Sequence, residues 1–403
     1  MSSFNSFRLR ASSHQALSKM QIDTPTAIQE RAIPLLLEGR DVIGQAQTGS
    51  GKTLAFGLPM MERCDPHVRQ VQALVLTPTR ELARQVGEVL IALGQQAGIK
   101  VSLLYGGRPY GPQEKELAAG AHIVVGTPGR VLDHLNRRTL RLEQLRMMVL
   151  DEGDEMLDQG FAPDVERILA RTPRSRQTAL FSATTPPWIQ KIAAKHLIEP
   201  EVLNQDQEDG SDPDIDHVVM EVYREDKFQV LVRLLKEPSD GATLVFGRTK
   251  HGVRNLGRRL QVMGFPVAVL QGNLSQEQRD KALERFRSGH VSILVATNVA
   301  ARGLDILHIG RVINYELPET HELFTHRVGR TARMGRSGRA ITLVSALDLA
   351  KWQSIERGLG IRLPRMSASD DKAAAARPPT PATAVRTASR WGRRRWSRRR
   401  ATA

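Results

Sequence analysis

The sequence predicts an α/β protein of two tandem parallel-sheet domains, followed by a basic tail that carries no core. Three observations predict it. Short β-branched runs alternate with longer helix-like stretches through most of the chain, the pattern of parallel sheets with crossover helices. An acidic segment, "NQDQEDGSDPDID" (204–216), with Gly210, Pro213 and little to bury, interrupts that pattern as a linker would. A weak internal repeat sets "VSLLYGG…ELAAGAHIVVGTPGR" against "VAVLQGN…ERFRSGHVSILVATNVAARG", two copies of one strand–helix plan. A chain of 403 residues, 40% hydrophobic and 25% charged, suits two ordinary packed domains.

The elements follow in order. The start, "MSSFNSFRLRASSHQALSKM", contains Ser and Arg and no acids, a composition that also suits a transit peptide. The apolar run "DVIG" leads into "AQTGSGKT" (46–53), which opens the helix-like "KTLAFGLPMMERC". Strand-like runs "ALVLT", "VSLLY", "HIVVG", "MMVL" and "ALFSAT" complete the first domain; "TLVFG", "VAVLQG", "SILVAT" and "RVINY" belong to the second. From about Ser367 the chain becomes rich in Ala, Pro and Thr and then in Arg, and such a composition cannot fill a core. In open parallel sheets ligands sit beyond the carboxyl ends of the strands, and the distinctive polar residues here follow strand runs.

Several classes are excluded or favoured by composition. With Cys64 as the single cysteine, no intramolecular disulfide or cysteine metal cluster can form, and a cytoplasmic chain is the simplest expectation. No apolar run approaches the length that spans a bilayer, so no membrane partner is expected. The net charge of +15 favours a polyanion, nucleic acid first, although a solvated basic surface produces the same excess.

The chemistry begins at "AQTGSGKT". Backbone N–H groups of such a loop cradle phosphates at a helix N-terminus, Lys52 reaches the terminal phosphates and Thr53 can ligate Mg²⁺. Ala46 stands where the general pattern has glycine. Asp151 and Glu152 end the apolar run "MMVL", as needed for one acid to hold a metal and the next to orient water. An Asp-Glu pair alone is common; after a buried strand and preceded by that loop it is specific.

With "TPTAIQ" ending at Gln29, "PTRELA" (78–83), "GG" (106–107), "TPGR" (127–130), "DEGD" (151–154), "SAT" (182–184), "ATNVAARGLD" (296–305) and "HRVGRTAR" (326–333), the chain resembles the DEAD-box RNA helicases of superfamily 2 over residues 4–350. The resemblance implies two RecA-like domains: a Q-motif segment (1–30), an ATP-binding domain (31–203), the linker (204–216), a helicase C-terminal domain (217–365) and a disordered tail (366–403). ATP and RNA would bind across the cleft. Phe4, at the family's aromatic spacing, would leave no room for a cleaved leader, so none is expected.

The residue roles are those the resemblance implies. Phe4 would stack on adenine and Gln29 would read its edge; a lone Gln on a helix is otherwise usually solvated. Ala46, Gln47, Thr48, Gly49, Ser50, Gly51, Lys52 and Thr53 would hold the phosphates, and Asp305 would meet the ribose. Asp151 would hold Mg²⁺ through water and Glu152 would position the attacking water, with Arg330 and Arg333 as arginine fingers from the second domain. Asp154, Ser182, Thr184 and His326 would couple nucleotide state to closure, although the "SAT" hydroxyls would also suit a helix cap or turn. RNA would run along Pro78, Thr79, Arg80, Gly107, Thr127, Pro128, Gly129 and Arg130, and then Gly272, Thr297, Asn298, Arg302 and Gly303, touched through its backbone and without sequence preference.

In the tail, ten basic residues against Asp370 and Asp371 give +8, leaving +7 for the rest. Trp391 and Trp396 among Arg393, Arg394 and Arg395 suit an RNA tether, or equally a solubilising or targeting segment. The expected protein is a monomer that unwinds short RNA duplexes and remodels RNA–protein complexes, with any ribonucleoprotein or degradosome-like partner unspecified. An ATP-gated RNA clamp and a DNA-directed translocase remain as alternatives. Gly153, Gln271, Asn298 and Ala332 depart from the family's usual Ala, His, Asp and Gly; each exchanges similar residues, and Gly153 is expected to add backbone freedom between Glu152 and Asp154.

Overall fold

The computed structural model describes residues 3–46, 49–204, 214–298, 309–332 and 337–367. Each domain is a seven-stranded, wholly parallel sheet with helices on both faces. In the first, a 3₁₀ turn (Phe4–Ser6), α1 (Ala11–Lys19) and α2 (Ala27–Leu37) precede β1 (Val42–Gln45). There follow α3 (Lys52–Arg63), β2 (Ala73–Leu76), α4 (Arg80–Gly94), β3 (Val101–Leu104), α5 (Tyr110–Ala118), β4 (Ile123–Gly126) and α6 (Pro128–Asn136). The domain closes with β5 (Met147–Asp151), α7 (Gly153–Asp158), α8 (Ala162–Leu169), β6 (Gln177–Ser182), α9 (Pro187–His196) and β7 (Glu201–Asn204).

The second domain opens with β8 (Ile215–Glu221), α10 (Lys227–Lys236), β9 (Ala242–Gly247), α11 (Lys250–Val262) and β10 (Val267–Leu270). It continues through α12 (Gln276–Arg287), β11 (Ile293–Thr297), β12 (Ile309–Asn314), α13 (His321–Val328), β13 (Gly338–Val344), α14 (Leu349–Leu359) and β14 (Arg365–Ser367). Strands β7 and β8 each run into the segment read as linker, so the ends of 204–216 are sheet rather than spacer.

The strand orders are β3-β4-β2-β5-β6-β1-β7 and β10-β11-β9-β12-β13-β8-β14, the same order shifted by seven. That identity is the physical content of the sequence repeat. Burial on both faces explains the unbroken apolar runs, since β2, β4, β5 and β6 are buried at every residue. Separate apolar clusters fill the two faces of the first sheet, one around Phe56, Ile33 and Phe181 and one around Leu74, Met148 and Leu180. At the foot of β1, buried Asp41 accepts Thr178 N–H and Ile198 N–H, each at 2.7 Å, and so pins the strand between its neighbours.

The order groups the residues expected to act together. The carboxyl ends of adjacent β5, β6 and β1 carry Asp151, Ser182 and the 46–53 loop, with Gln45 in register with Ser182. The adjacent ends of β3, β4 and β2 carry the "GG", "TPGR" and "PTRELA" segments. In the second sheet β10 and β11, the counterparts of β3 and β4, end at Gly272 and at Thr297–Asn298.

Candidate nucleotide site and RNA-facing edge

The 46–53 loop takes its shape from glycine. Gly49 and Gly51 have φ of +90° and +93°, and Gly51 caps α3. A Cβ on Gly51 would meet Gln29 Nε2 at 2.5 Å, so a glycine is required for the chain to approach this closely. Gln29 is buried, not solvated: its Oε1 accepts Thr26 N–H at 3.0 Å in a capping box, and its Nε2 donates to Gly51 O at 2.9 Å. Thr26 Oγ1 donates to Ser50 O at 2.8 Å, so "TPTAIQ" is fastened directly to the phosphate loop. Two of the four hydrogen-bonding sites of the Gln29 amide remain for a ligand edge.

Ala46 continues the ladder by donating to Ser182 O at 3.2 Å, and its methyl sits in the core. Phe4 is 3% exposed and packs edge-on against Phe7, so little of its ring is open in this conformation. Lys52 is buried and its Nζ donates to Ala46 O at 2.9 Å; Thr53 follows it, half-buried. Gln47, Thr48, Arg302, Gly303, Asp305, Arg333, Trp391, Arg393, Arg394, Arg395 and Trp396 lie outside the described residues.

Asp151 is 3% exposed, and its Oδ1 has no hydrogen-bond partner among the described residues. Burial pushes its carboxyl up to about 6, against the pull of the Lys52 ammonium, and the neighbouring Glu152 adds to the rise. An orphaned buried carboxylate oxygen beside a lysine fits a divalent cation held largely through water and phosphates. Among the described residues no His/Cys/Asp/Glu cluster could hold a metal by itself.

Glu152 has φ +54° and ψ 57°, a left-handed conformation that costs a non-glycine residue about 1–3 kcal/mol. It caps α7, and Gly153 is already helical. The backbone freedom expected of Gly153 is therefore unused, and the strained turn is at Glu152. Ala332 has φ +54°, so the exchange for the family's glycine is not neutral there.

Asp154 is the meeting point of the "SAT" residues. Its N–H donates to Ser182 Oγ at 3.1 Å, and its Oδ2 accepts both Thr184 N–H and Thr184 Oγ1–H at 2.9 Å. His326 Nε2 of the second domain lies 3.8 Å from the same Oδ2, so the four residues expected to couple the domains converge. Arg330, just beyond the end of α13, is 6% exposed and its Nε donates to His326 O at 3.3 Å.

On the edge expected to face RNA, Thr79 caps α4 by accepting Leu82 N–H at 3.2 Å, with Pro78 buried before it. Thr127 caps α6, Pro128 takes its first position, and Gly129 follows half-buried. Arg130 Nη1 donates to Arg108 O at 3.0 Å. Gly107, at φ +86°, lies against the Arg80 guanidinium, which donates to Gln276 Oε1 across the cleft at 3.2 Å. In the second domain Gly272 lies against Lys250, Thr297 is buried, and Asn298 Oδ1 accepts Arg327 Nε at 2.6 Å. Burial brings Arg327 down to about 9, opposed mainly by the charge of Glu316.

Sequence reasoning passed over Gln276 and Arg279. Arg279 forms an ion pair with buried Glu81 of "PTRELA", and Arg84 faces Asp280 at 4.0 Å, so the start of α12 docks on α4. "SQEQR" reads as an ordinary capped helix start, and only the fold reveals what it faces.

The DEAD/DEAH box helicase family matches residues 26–192, and the helicase conserved C-terminal domain matches 226–335. DEAD-box ATP-dependent RNA helicases CshA are 43% identical: that of Bacillus cereus over 368 residues (91% of this chain, 70% of the relative), and that of Geobacillus kaustophilus over 366 (91% and 78%). The Saccharomyces cerevisiae Dbp5 structure bound to RNA and ADP BeF3 superposes with a TM-score of 0.84 at 34% identity, covering 93% of this chain and 98% of that one. A point variant of the same Dbp5, bound to Nup159, a Gle1 variant, IP6 and ADP, gives 0.63 at 33% identity, covering 91% and 97%. On its motifs, its two sheets and these likenesses, the chain belongs to the DEAD-box ATP-dependent RNA helicases.

Proposed function

We propose that the protein binds ATP and single-stranded RNA across its cleft, hydrolyses ATP when the domains close, and separates short RNA duplexes locally. The observation that carries this reading is the convergence of Ser182, Thr184 and His326 on Asp154, because one carboxylate then senses both the catalytic turn and the second domain. Lys52 gathers the terminal phosphates, releasing Ala46 O as it does so. Glu152 aligns the attacking water, and its strained backbone holds the carboxylate at the helix start. Arg330, with Arg333, meets charge building on the transferred phosphoryl group. Mg²⁺, when bound, would neutralise phosphate charge; Asp151 and Thr53 are the residues that fit it.

RNA lies across the ends of β2, β3 and β4 and of β10 and β11, held by helix caps and glycine turns that favour backbone over base contact. A bend imposed on closure excludes the second strand. Each base-pair step lost costs about 1.4 kcal/mol, so one closure opens only a few. The tail adds a non-selective RNA tether, and truncation after Met366 then weakens RNA affinity and its salt dependence.

Strand displacement with matched RNA and DNA duplexes, alongside ATPase rates, tests the proposal. ATP-dependent separation of RNA, with stimulation by RNA over DNA, is expected. Hydrolysis without displacement would establish a clamp, and equal stimulation by DNA a DNA-directed translocase.

A further inference from the structure

Tyr110 opens α5, three residues beyond Gly107, and its ring meets side chains of α6. The guanidinium carbons of Arg130 and Arg137 sit 4.0 and 3.7 Å from the centre of its ring. Arg137 caps the C-terminal end of α6, about two turns beyond Arg130, so one ring bears on arginines from both ends of that helix. Its hydroxyl donates to Asp133 Oδ2 at 2.9 Å, and the His134 ring is 5.5 Å away. Arg130 is fixed further by the Arg108 carbonyl, and Arg108 by Glu116 at 3.0 Å. One aromatic side chain thus joins the glycine turn at 106–107 to the "TPGR" helix.

We propose that Tyr110 is a positioning residue for RNA binding: it holds Arg130, and Arg137 beyond it, in the plane and spacing that meet successive phosphates. The inference rests on the RNA reading of this edge. A guanidinium over an aromatic face keeps its charge and its outward N–H donors while losing torsional freedom, so contact with an anion needs less ordering. The ring supplies this; the hydroxyl mainly aligns the ring with α6.

The test compares Tyr110→Leu with Tyr110→Phe in full-length protein, using ATPase titrated with a single-stranded oligouridylate. The expected result is an RNA concentration for half-stimulation raised about fivefold in the leucine variant, with kcat at saturating RNA and KM for ATP within about twofold. Tyr110→Phe, which keeps both ring contacts, stays within about twofold throughout. Thermal melting separates unfolding from loss of grip, since Tyr110 is only half-buried. An unchanged half-stimulation point in Tyr110→Leu, or equal weakening in both variants, overturns the proposal. A parent protein without RNA stimulation would instead overturn the RNA reading beneath it.

Discussion

His326 Nε2, carried by α13 of the second domain, lies 3.8 Å from Oδ2 of Asp154, the oxygen that also accepts both hydrogen bonds from Thr184. On the proposed reading, nucleotide-dependent change at the Glu152 turn has a short polar route to the opposite domain. Thr184→Ala removes the hydroxyl bond and leaves the backbone one. The expected outcome is duplex separation reduced about tenfold with KM for ATP within about threefold, since a hydrogen bond to a charged group contributes about 1.5–3 kcal/mol. Combining it with His326→Ala should cost less than the two losses added, as for groups acting as one unit. Additive losses would show that they act separately.

Gly153 faces Ile189: a Cβ at 153 would meet Ile189 Cδ1 at 2.6 Å, and its other neighbours lie at 3.8 Å. The close atom is the end of a flexible side chain, and Gly153 is helical, so Gly153→Ala is accommodated by rotation of Ile189. RNA-stimulated ATPase should stay within about threefold of the parent, roughly 0.7 kcal/mol of barrier. Any deficit should shrink in the double variant with Ile189→Val. A large deficit that this pairing leaves untouched would mean that the glycine has a role of its own.

Ala332 is held at φ +54°, where a Cβ is unfavourable by about 1–2 kcal/mol. Ala332→Gly should therefore raise stability to denaturant by about 1 kcal/mol, read as a higher midpoint at unchanged slope. A lower midpoint would indicate that the greater freedom of glycine in the unfolded chain outweighs the relief.

His217 stacks on Phe324 with ring centres 6.3 Å apart, and its Nδ1 has no partner among the described residues. Burial holds its pKa below the ordinary 6.5, opposed by Asp216, and burial likewise lowers His122, His134 and His196. Below about pH 6.5 the unfolded chain binds protons that the fold excludes. Stability contributed by these histidines is thus present above the unfolded pKa, falls as pH drops through it, and levels off below the folded value. His217→Gln should reduce the loss between about pH 7.5 and 5, by up to about 1.4 kcal/mol per unit of depression. An unchanged pH slope in equilibrium unfolding would contradict this.

Much of this was legible in the sequence because buried parallel strands are unbroken apolar runs and the chemical residues sit at their ends. The strands at "ALVLT" through "RVINY" appear where the runs predict them. Strand β8 was hidden by its acidic surroundings and β13 by its Gly-Arg start, since neither opens on an apolar run. The backbone conformations of Glu152 and Ala332 left no trace, because nothing in residue type marks a left-handed glutamate or alanine. The docking of Arg279 on Glu81 depends on how two domains meet, which local pattern does not encode.

In the proposed mechanism Glu152 positions the water whose attack, with RNA bound and the domains closed, drives duplex separation. Single-turnover ATP hydrolysis with saturating RNA, in the parent and in Glu152→Gln, tests it most directly. The expected result is a rate lowered about 10²-fold or more, with ATP and RNA still bound together. Hydrolysis by Glu152→Gln at the parental rate would contradict it.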